Sequence, residues 1–207
     1  MKILITAGAT WVRLDAVRIL TNHFSGATGL YLAKDLKKKG HSVTLLVNPH
    51  CLEPIKGLKY FHYHYFAEFK DKVIKLLKNR KYDVIIHTAA VSDYKLKTVY
   101  KGKISSGRKS LSLKLIPTEK IINKIRRLAK KAILVQFKLE AKNKGIINKA
   151  YQSLKANKSD FVVANSLEDI SKSYKAWLID NKKKAFKIGS KKALADALNR
   201  IIMKRLR

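Results

Sequence analysis

Residues 3–29, ILITAGATWVRLDAVRILTNHFSGATG, constrain the fold more than any other stretch. They open on three apolar residues, Ile3-Leu4-Ile5, and break at once into Thr6-Ala7-Gly8-Ala9-Thr10. A run this short and apolar, closed by glycine, reads as a strand buried on both faces, as in parallel sheets. A second small-residue turn, Ser25-Gly26-Ala27-Thr28-Gly29, leads into a helical pattern with Leu30, Ala33 and Leu36 on one face. Ser25 is the candidate N-cap, and Gly40 stands where a C-terminal cap glycine belongs. Two glycine turns near one helix N-terminus can cradle a phosphate with bare N–H groups and the positive end of the dipole. The same residues also serve as ordinary tight turns, and a glycine pattern alone does not choose.

The scheme repeats along the chain. Ser42–Val47 reads as a second buried strand, ending in Asn48-Pro49. No acidic residue follows to hold ribose hydroxyls and the GxGxxG spacing is missing, which argues against NAD. Residues 60–65 alternate and read as a third strand, with His62 and His64 on one face. No third ligand lies at a workable spacing, so the pair reads as part-exposed surface rather than a metal site. Phe69, Val73, Leu76 and Leu77 mark a helix over 66–80. Residues 83–87 form a fourth strand and run into Thr88-Ala89-Ala90-Val91-Ser92-Asp93-Tyr94. The alanines leave room for a ligand against the backbone; Asp93 could accept hydrogen bonds from a base or ribose, or cap a turn.

A polar loop over 95–108 carries Lys101 and Lys103, and 110–115 alternate as a half-exposed strand, an edge or an arm to a partner. Pro117-Thr118-Glu119 opens a helix to about Lys131; 132–137 is a strand; 144–158 is a basic helix. Residues 160–165 make a sixth core strand ending at Asn165, and 175–189 a hairpin turning at Asp180-Asn181. Ser190 caps a last helix with Leu194, Leu198 and Ile201 or Ile202 inside. Strands alternating with helices predict an α/β fold: a Rossmann-like, doubly wound, mainly parallel sheet with a C-terminal hairpin and helix, in one domain over 1–207.

A length of 207 residues suffices for one sizeable core, and three prolines without a Gly/Ser linker suggest no second domain. No stretch reaches the ~20 apolar residues of a membrane helix. The three-residue apolar opening predicts no signal peptide, and a single cysteine, Cys51, predicts no internal disulfide. Together these favour the cytoplasm. Lys plus Arg is 46 against 14 Asp plus Glu, a net charge of +32. That raises a nucleic-acid reading, but the lysines spread over nearly every helix face, and Arg, the better base and phosphate reader, is scarce beside Lys. The charge reads rather as decoration of a soluble enzyme, with a field that attracts anionic substrates.

ITAGAT, DAVRILTNHFSGATG, AAVSDY, KIS, QFKLE and DFVVAN follow one another in the order and spacing of a known family. Over about residues 3–180 the chain resembles phosphopantothenate–cysteine ligase, also called phosphopantothenoylcysteine synthetase, of coenzyme A biosynthesis. The resemblance implies that CTP or ATP, with Mg2+, activates the carboxylate of 4′-phosphopantothenate as an acyl-nucleotidylate, releasing pyrophosphate. L-Cysteine's amine then attacks the acyl carbon and the nucleoside monophosphate leaves. It further implies a homodimer whose arm, at about 95–116, reaches the neighbour. Since Met1 begins directly at the first strand, any flavin-dependent decarboxylase partner is expected on a separate chain.

By the same resemblance Gly8, Ser25, Gly26 and Gly29 form the nucleotide-phosphate turns. Lys103 stabilises the charged phosphoryl intermediate, and Asn22 holds the acyl intermediate for aminolysis. Arg18 contacts substrate phosphate across the dimer interface; Ala89 and Ala90 line the pantothenate. Asp93 faces the nucleotide, Phe137 packs the base and Asn165 closes that side. No residue is assigned to metal. The chemistry suits these types: attack at an α-phosphate builds charge on phosphoryl oxygens, where fixed cations and N–H donors act, and a neutral amide can donate to one oxygen while accepting from an amine. The chain departs from the family at three places. The family's Glu-Pro-Ile-Asp is Val12-Arg13-Leu14-Asp15, keeping only Asp15. Its KxKK is Lys103-Ile104-Ser105-Ser106, and two lysines before the DFVVAN strand are Ser153 and Asn157. Two lost charge-assisted contacts would cost roughly 1.5–3 kcal/mol each unless neighbours substitute. A non-catalytic nucleotide-binding relative and a basic nucleic-acid-binding protein are the alternatives.

Overall fold

Runs such as Ile3-Leu4-Ile5 and Leu45-Leu46-Val47 are buried on both faces, so the strands they form need cover above and below. The structure, a computed structural model, describes residues 1–49, 55, 57–107, 109–170 and 174–204. Its elements are β1 (Lys2–Ala7), β2 (Trp11–Arg13), β3 (Ile19–Thr21), α1 (Ala27–Lys38), β4 (Ser42–Val47) and β5 (Lys59–His62). They continue with α2 (Phe66–Asn79), β6 (Val84–His87), β7 (Tyr94–Leu96), β8 (Leu115–Pro117), α3 (Ile121–Leu128) and β9 (Ile133–Glu140). The remainder are α4 (Ile146–Ala156), β10 (Phe161–Ser166), α5 (Leu167–Ile170), β11 (Ala176–Asp180), β12 (Ala185–Ile188) and α6 (Lys191–Lys204).

The central sheet has eight strands in the order β12-β11-β10-β9-β6-β1-β4-β5. It is parallel from β5 to β10, while β11 and β12 add an antiparallel hairpin at one edge. The Rossmann-like, mainly parallel α/β architecture is therefore as expected, hairpin and last helix included. Alternate side chains of β1 face opposite layers. Ile3 and Ile5 meet Leu32 and Leu36 of α1 with Leu194 and Leu198 of α6; Leu4 meets the layer of Phe69 and Val73 from α2 and Ile125 from α3. Helix α4 covers β10 and β11 through Ala150, Leu154, Val162 and Ile179.

Strand β1 lies in mid-sheet. The chain leaves it for β4 and β5 on one side, then returns to β6 on the other. The carboxyl ends of β1 and β6 thus flank a topological switch point, the place where open α/β sheets bind ligands.

Several local expectations change. The third strand stops at His62; Tyr63 turns inward, fully buried, and His64 lies outside it with its ring 5.1 Å from that of Trp11, so the two histidines are not strand neighbours. The alternation over 110–115 does not make a strand: only Leu115–Pro117 pairs, with Tyr94–Leu96, because the exposed Leu111 finds no layer to cover it. The helix expected from Pro117 starts at Ile121; Pro117 belongs to β8, and the Thr118 hydroxyl donates to the Ser92 carbonyl at 2.6 Å. Cys51 and Arg108 lie outside the described residues.

Candidate functional site

The two glycine turns meet at the switch point. Gly8, at the end of β1, has φ +84° and Gly26 has φ +81°. A Cβ on Gly26 would stand 2.3 Å from the Gly8 nitrogen, so the backbones touch where no side chain fits. One on Gly29 would stand 2.5 Å from the Thr88 hydroxyl and 2.6 Å from the Ala7 methyl, which seats α1 against both flanking strands. The expected Ser25 cap is corrected: Gly26 is the N-cap of α1 and makes no side-chain cap bond, since its left-handed backbone already turns the chain. Ser25 Oγ accepts only a long bond, 3.4 Å, from the Ala27 N–H. The positive end of a twelve-residue helix therefore faces the crevice without a side-chain acceptor at its cap.

The turn after β1 is fixed through its carbonyls. Tyr63 donates to Ala7 and Gly8 at 2.7 and 2.9 Å, the Ala90 N–H to Gly8 at 3.0 Å, and Asn48 Nδ2 to Ala9 at 2.8 Å. Burial pushes the Tyr63 hydroxyl far above its ordinary pKa, so it stays a donor. Beneath, the Thr6 hydroxyl and His87 Nδ1 share a 2.7 Å hydrogen bond. Burial alone lowers His87 to about 4, so the ring is neutral at pH 7. Thr10 and Ser92 bond to one another through both hydroxyls and main chain. Tyr63, Asn48, Thr10, Ser92 and His87 received no role from the sequence. Their signal was available only as polar residues at strand ends, which by itself does not name a partner.

Asn22 is brought to this crevice. Trp11 is tied to residues 64–65, β2 pairs with β3, and Asn22 follows β3 with its Nδ2 donating to the Ala90 carbonyl at 3.2 Å. Gly8, Gly26, Gly29, Asn22 and Ala90 thus share one neighbourhood, beside Ala89. Lys103 is held on a different segment. The Ala16 N–H donates to the Gly102 carbonyl at 2.9 Å, and the Ile104 N–H donates to Asp15 Oδ2 at 2.9 Å. The lysine sits between these two fastened neighbours, not on a free segment. Arg18 bridges Asp15 and the Ile104 carbonyl, at 2.5 and 3.2 Å, with 42% of its side chain exposed. The Ile104 N–H, with those of Val17 and Arg18 and the guanidinium, holds the Asp15 carboxyl far below the usual carboxylate range despite burial.

The remaining candidates are dispersed. Asp93 is mostly exposed and pairs with Lys120 at 2.6 Å. Phe137, on β9, packs partly buried against the large core cluster, and Asn165 lies near the end of β10, in register with Leu139. The two positions lacking lysine turn inward: Gln136 donates to Ser153 Oγ at 3.1 Å and accepts from Asn157 at 2.9 Å, with Ser159 adding 2.9 Å. They satisfy a buried amide on β9. Among the described residues no three His, Cys, Asp or Glu gather as metal ligands, and no helix is long and apolar enough to cross a membrane.

Comparison with known proteins bears on this site. The family of DNA/pantothenate metabolism flavoprotein C-terminal domains matches residues 1–206. The coenzyme A biosynthesis bifunctional protein CoaBC of Thermococcus kodakarensis is 35% identical over 169 residues, which are 81% of this chain and 41% of that protein. The chain therefore spans less than half the length of that relative. The crystal structure of the DNA/pantothenate metabolism flavoprotein from Streptococcus pneumoniae superposes with a TM-score of 0.88 at 26% identity, covering 99% of both chains. A Cab2 variant in complex with phosphopantothenate-cysteine superposes at 0.78 with 20% identity over 91% of this chain and 79% of that one, which shows a common fold. With residues 1–206 matched, the chain belongs to the family of DNA/pantothenate metabolism flavoprotein C-terminal domains.

Proposed function

We propose that this chain joins 4′-phosphopantothenate to L-cysteine through an acyl-nucleotidylate made from CTP or ATP. The observation that carries the reading is the crevice itself: Gly26 against Gly8 at the uncapped start of α1, with Asn22 bonded to Ala90 beside it. Its direction comes from the family and from the coenzyme A biosynthesis role of the Thermococcus kodakarensis relative. In this reading the triphosphate lies across the Gly8, Ser25, Gly26 and Gly29 turns, bringing Mg2+ as its own counter-ion. Phe137, Asn165 and Asp93 bound the base side, Asp93 once it leaves Lys120. The substrate carboxylate oxygen attacks the α-phosphorus and pyrophosphate departs; Lys103 meets the charge developing on the phosphoryl oxygens. The amine then attacks the acyl carbon, the nucleoside monophosphate leaves, and Asn22 orients the two groups. Arg18 holds substrate phosphate, and Ala89 and Ala90 keep its path open.

The reading includes a homodimer built on an arm at 95–116 of one 1–207 domain, a cytoplasmic setting and a flavin-dependent decarboxylase as a partner activity. Pyrophosphate release, assayed with each nucleoside triphosphate plus 4′-phosphopantothenate, is expected with CTP or ATP, and product only after cysteine is added. Asn22→Asp is expected to release pyrophosphate without product. No release with any nucleotide overturns the reading and leaves a non-catalytic relative. That second reading has one observation behind it: Ser153 and Asn157 bond to Gln136 where the resemblance expects lysines.

A further inference from the structure

We propose that Asp15 is the positioning residue that fastens Lys103 to the turn leading to Asn22; its catalytic half rests on the ligase reading above. Among the described residues Asp15 is the one buried carboxylate, 1% exposed. It lies in the link between β2 and β3, and its two oxygens have different duties. Oδ1 accepts the N–H groups of Val17 and Arg18, both at 2.7 Å, and so shapes the turn into β3, the strand that Asn22 follows. A turn needs no more than that. Oδ2 instead faces a segment 89 residues away, accepting the Ile104 N–H at 2.9 Å and the Arg18 guanidinium at 2.5 Å. Arg18 closes the loop by donating to the Ile104 carbonyl at 3.2 Å. The residue after Lys103 is thus gripped at both main-chain groups.

Two more main-chain bonds extend the clip, Tyr100 N–H to Leu14 and Ala16 N–H to Gly102, at 3.1 and 2.9 Å. Both ends of these bonds lie in loops, 14–18 and 97–107, where the one buried apolar side chain is Ile104. The carboxylate is the group that joins them. A buried charge with four donors is stable, and the same site with one acceptor removed leaves donors facing a donor. Through this clip the lysine of the first half-reaction and the asparagine of the second share one support.

Asp15→Asn separates the two duties, because an amide oxygen can keep the Oδ1 bonds while the amide nitrogen cannot accept from Ile104. Hydrogen exchange on the whole protein is the direct measurement. In the wild type the Ile104 amide is expected to be protected although it lies in a loop, and in Asp15→Asn residues 100–104 are expected to exchange at least about tenfold faster while β1 and β4 do not change. An unprotected Ile104 amide in the wild type overturns the clip even if the variant does not fold. Pyrophosphate release then tests its consequence. Asp15→Asn should lower kcat at least about tenfold, and the same change made on Lys103→Gln should add little, since both act through one group. Fully multiplicative losses would show a merely structural role and overturn the positioning claim. If the wild type releases no pyrophosphate, the ligase reading fails, and exchange alone judges the clip.

Discussion

Two segments to which the proposed reaction assigns roles are fixed by opposite means. The turns at Gly8 and Gly26 sit at positive φ and in close contact, a Cβ on Gly26 striking the Gly8 backbone and one on Gly8 crowding Asn48, above a dry layer of Thr6, Tyr63 and His87. Among its described residues the segment from Lys97 to Lys114 buries only Ile104; it is fastened to residues 14–18 by four bonds, Tyr100 N–H to Leu14, Ala16 N–H to Gly102, Ile104 N–H to Asp15 and the Arg18 guanidinium to the Ile104 carbonyl. The first region gains precision from exclusion of volume, which is unforgiving. The second gains it from a few charged bonds, which can let go without unfolding the sheet.

The largest expected effect tests the unforgiving half. Gly26→Ala puts a methyl onto the Gly8 backbone at positive φ, so stability should fall by roughly 2–4 kcal/mol and nucleotide-dependent pyrophosphate release should vanish with it. A denaturant midpoint equal to the wild type's would break the contrast. Lys103→Gln should do the reverse: pyrophosphate release falls roughly 10²–10³-fold while the melting temperature holds. Retained turnover would remove Lys103 from the charge-stabilising role.

His87 sharpens the comparison through pH. Its folded pKa is depressed, so between about 6.5 and 4 the unfolded chain binds the proton and the folded one does not. Stability from this group is therefore present above pH 6.5 and declines on acidification, by about 3 kcal/mol in all. His87→Gln should flatten that part of the stability–pH curve; an unchanged slope would mean that the ring is not held dry. The smallest effect isolates φ from volume. Gly40 has φ +85° but nothing within 4 Å of its missing Cβ. Gly40→Ala should cost only about 1 kcal/mol, against the larger loss at Gly26, where the same φ meets a neighbouring backbone. Equal losses at both glycines would mean that contact adds nothing.

Much of this was written locally. The apolar runs at 3–5, 43–47 and 84–86 and the helical stripes of α1, α2 and α6 gave strands, helices and their order, because each records which side chains must leave water. Gly40 closes α1 through the expected cap, its N–H donating to Lys37 and that of His41 to Leu36, and Ser190 Oγ accepts from Ala193. Alternation over 110–115 misled because a period describes a strand only where some layer waits to bury one face.

The sequence by itself determined the layers, the sheet and the presence of glycine where the chain turns at the crevice. Only the tertiary structure decided why those glycines are needed, since the obstacle to a side chain on Gly26 is Gly8, eighteen residues earlier. It alone also paired Asp15 with Ile104. Local patterning encodes exposure to solvent, whereas a buried carboxylate takes its meaning from whichever distant N–H the folded chain brings to it.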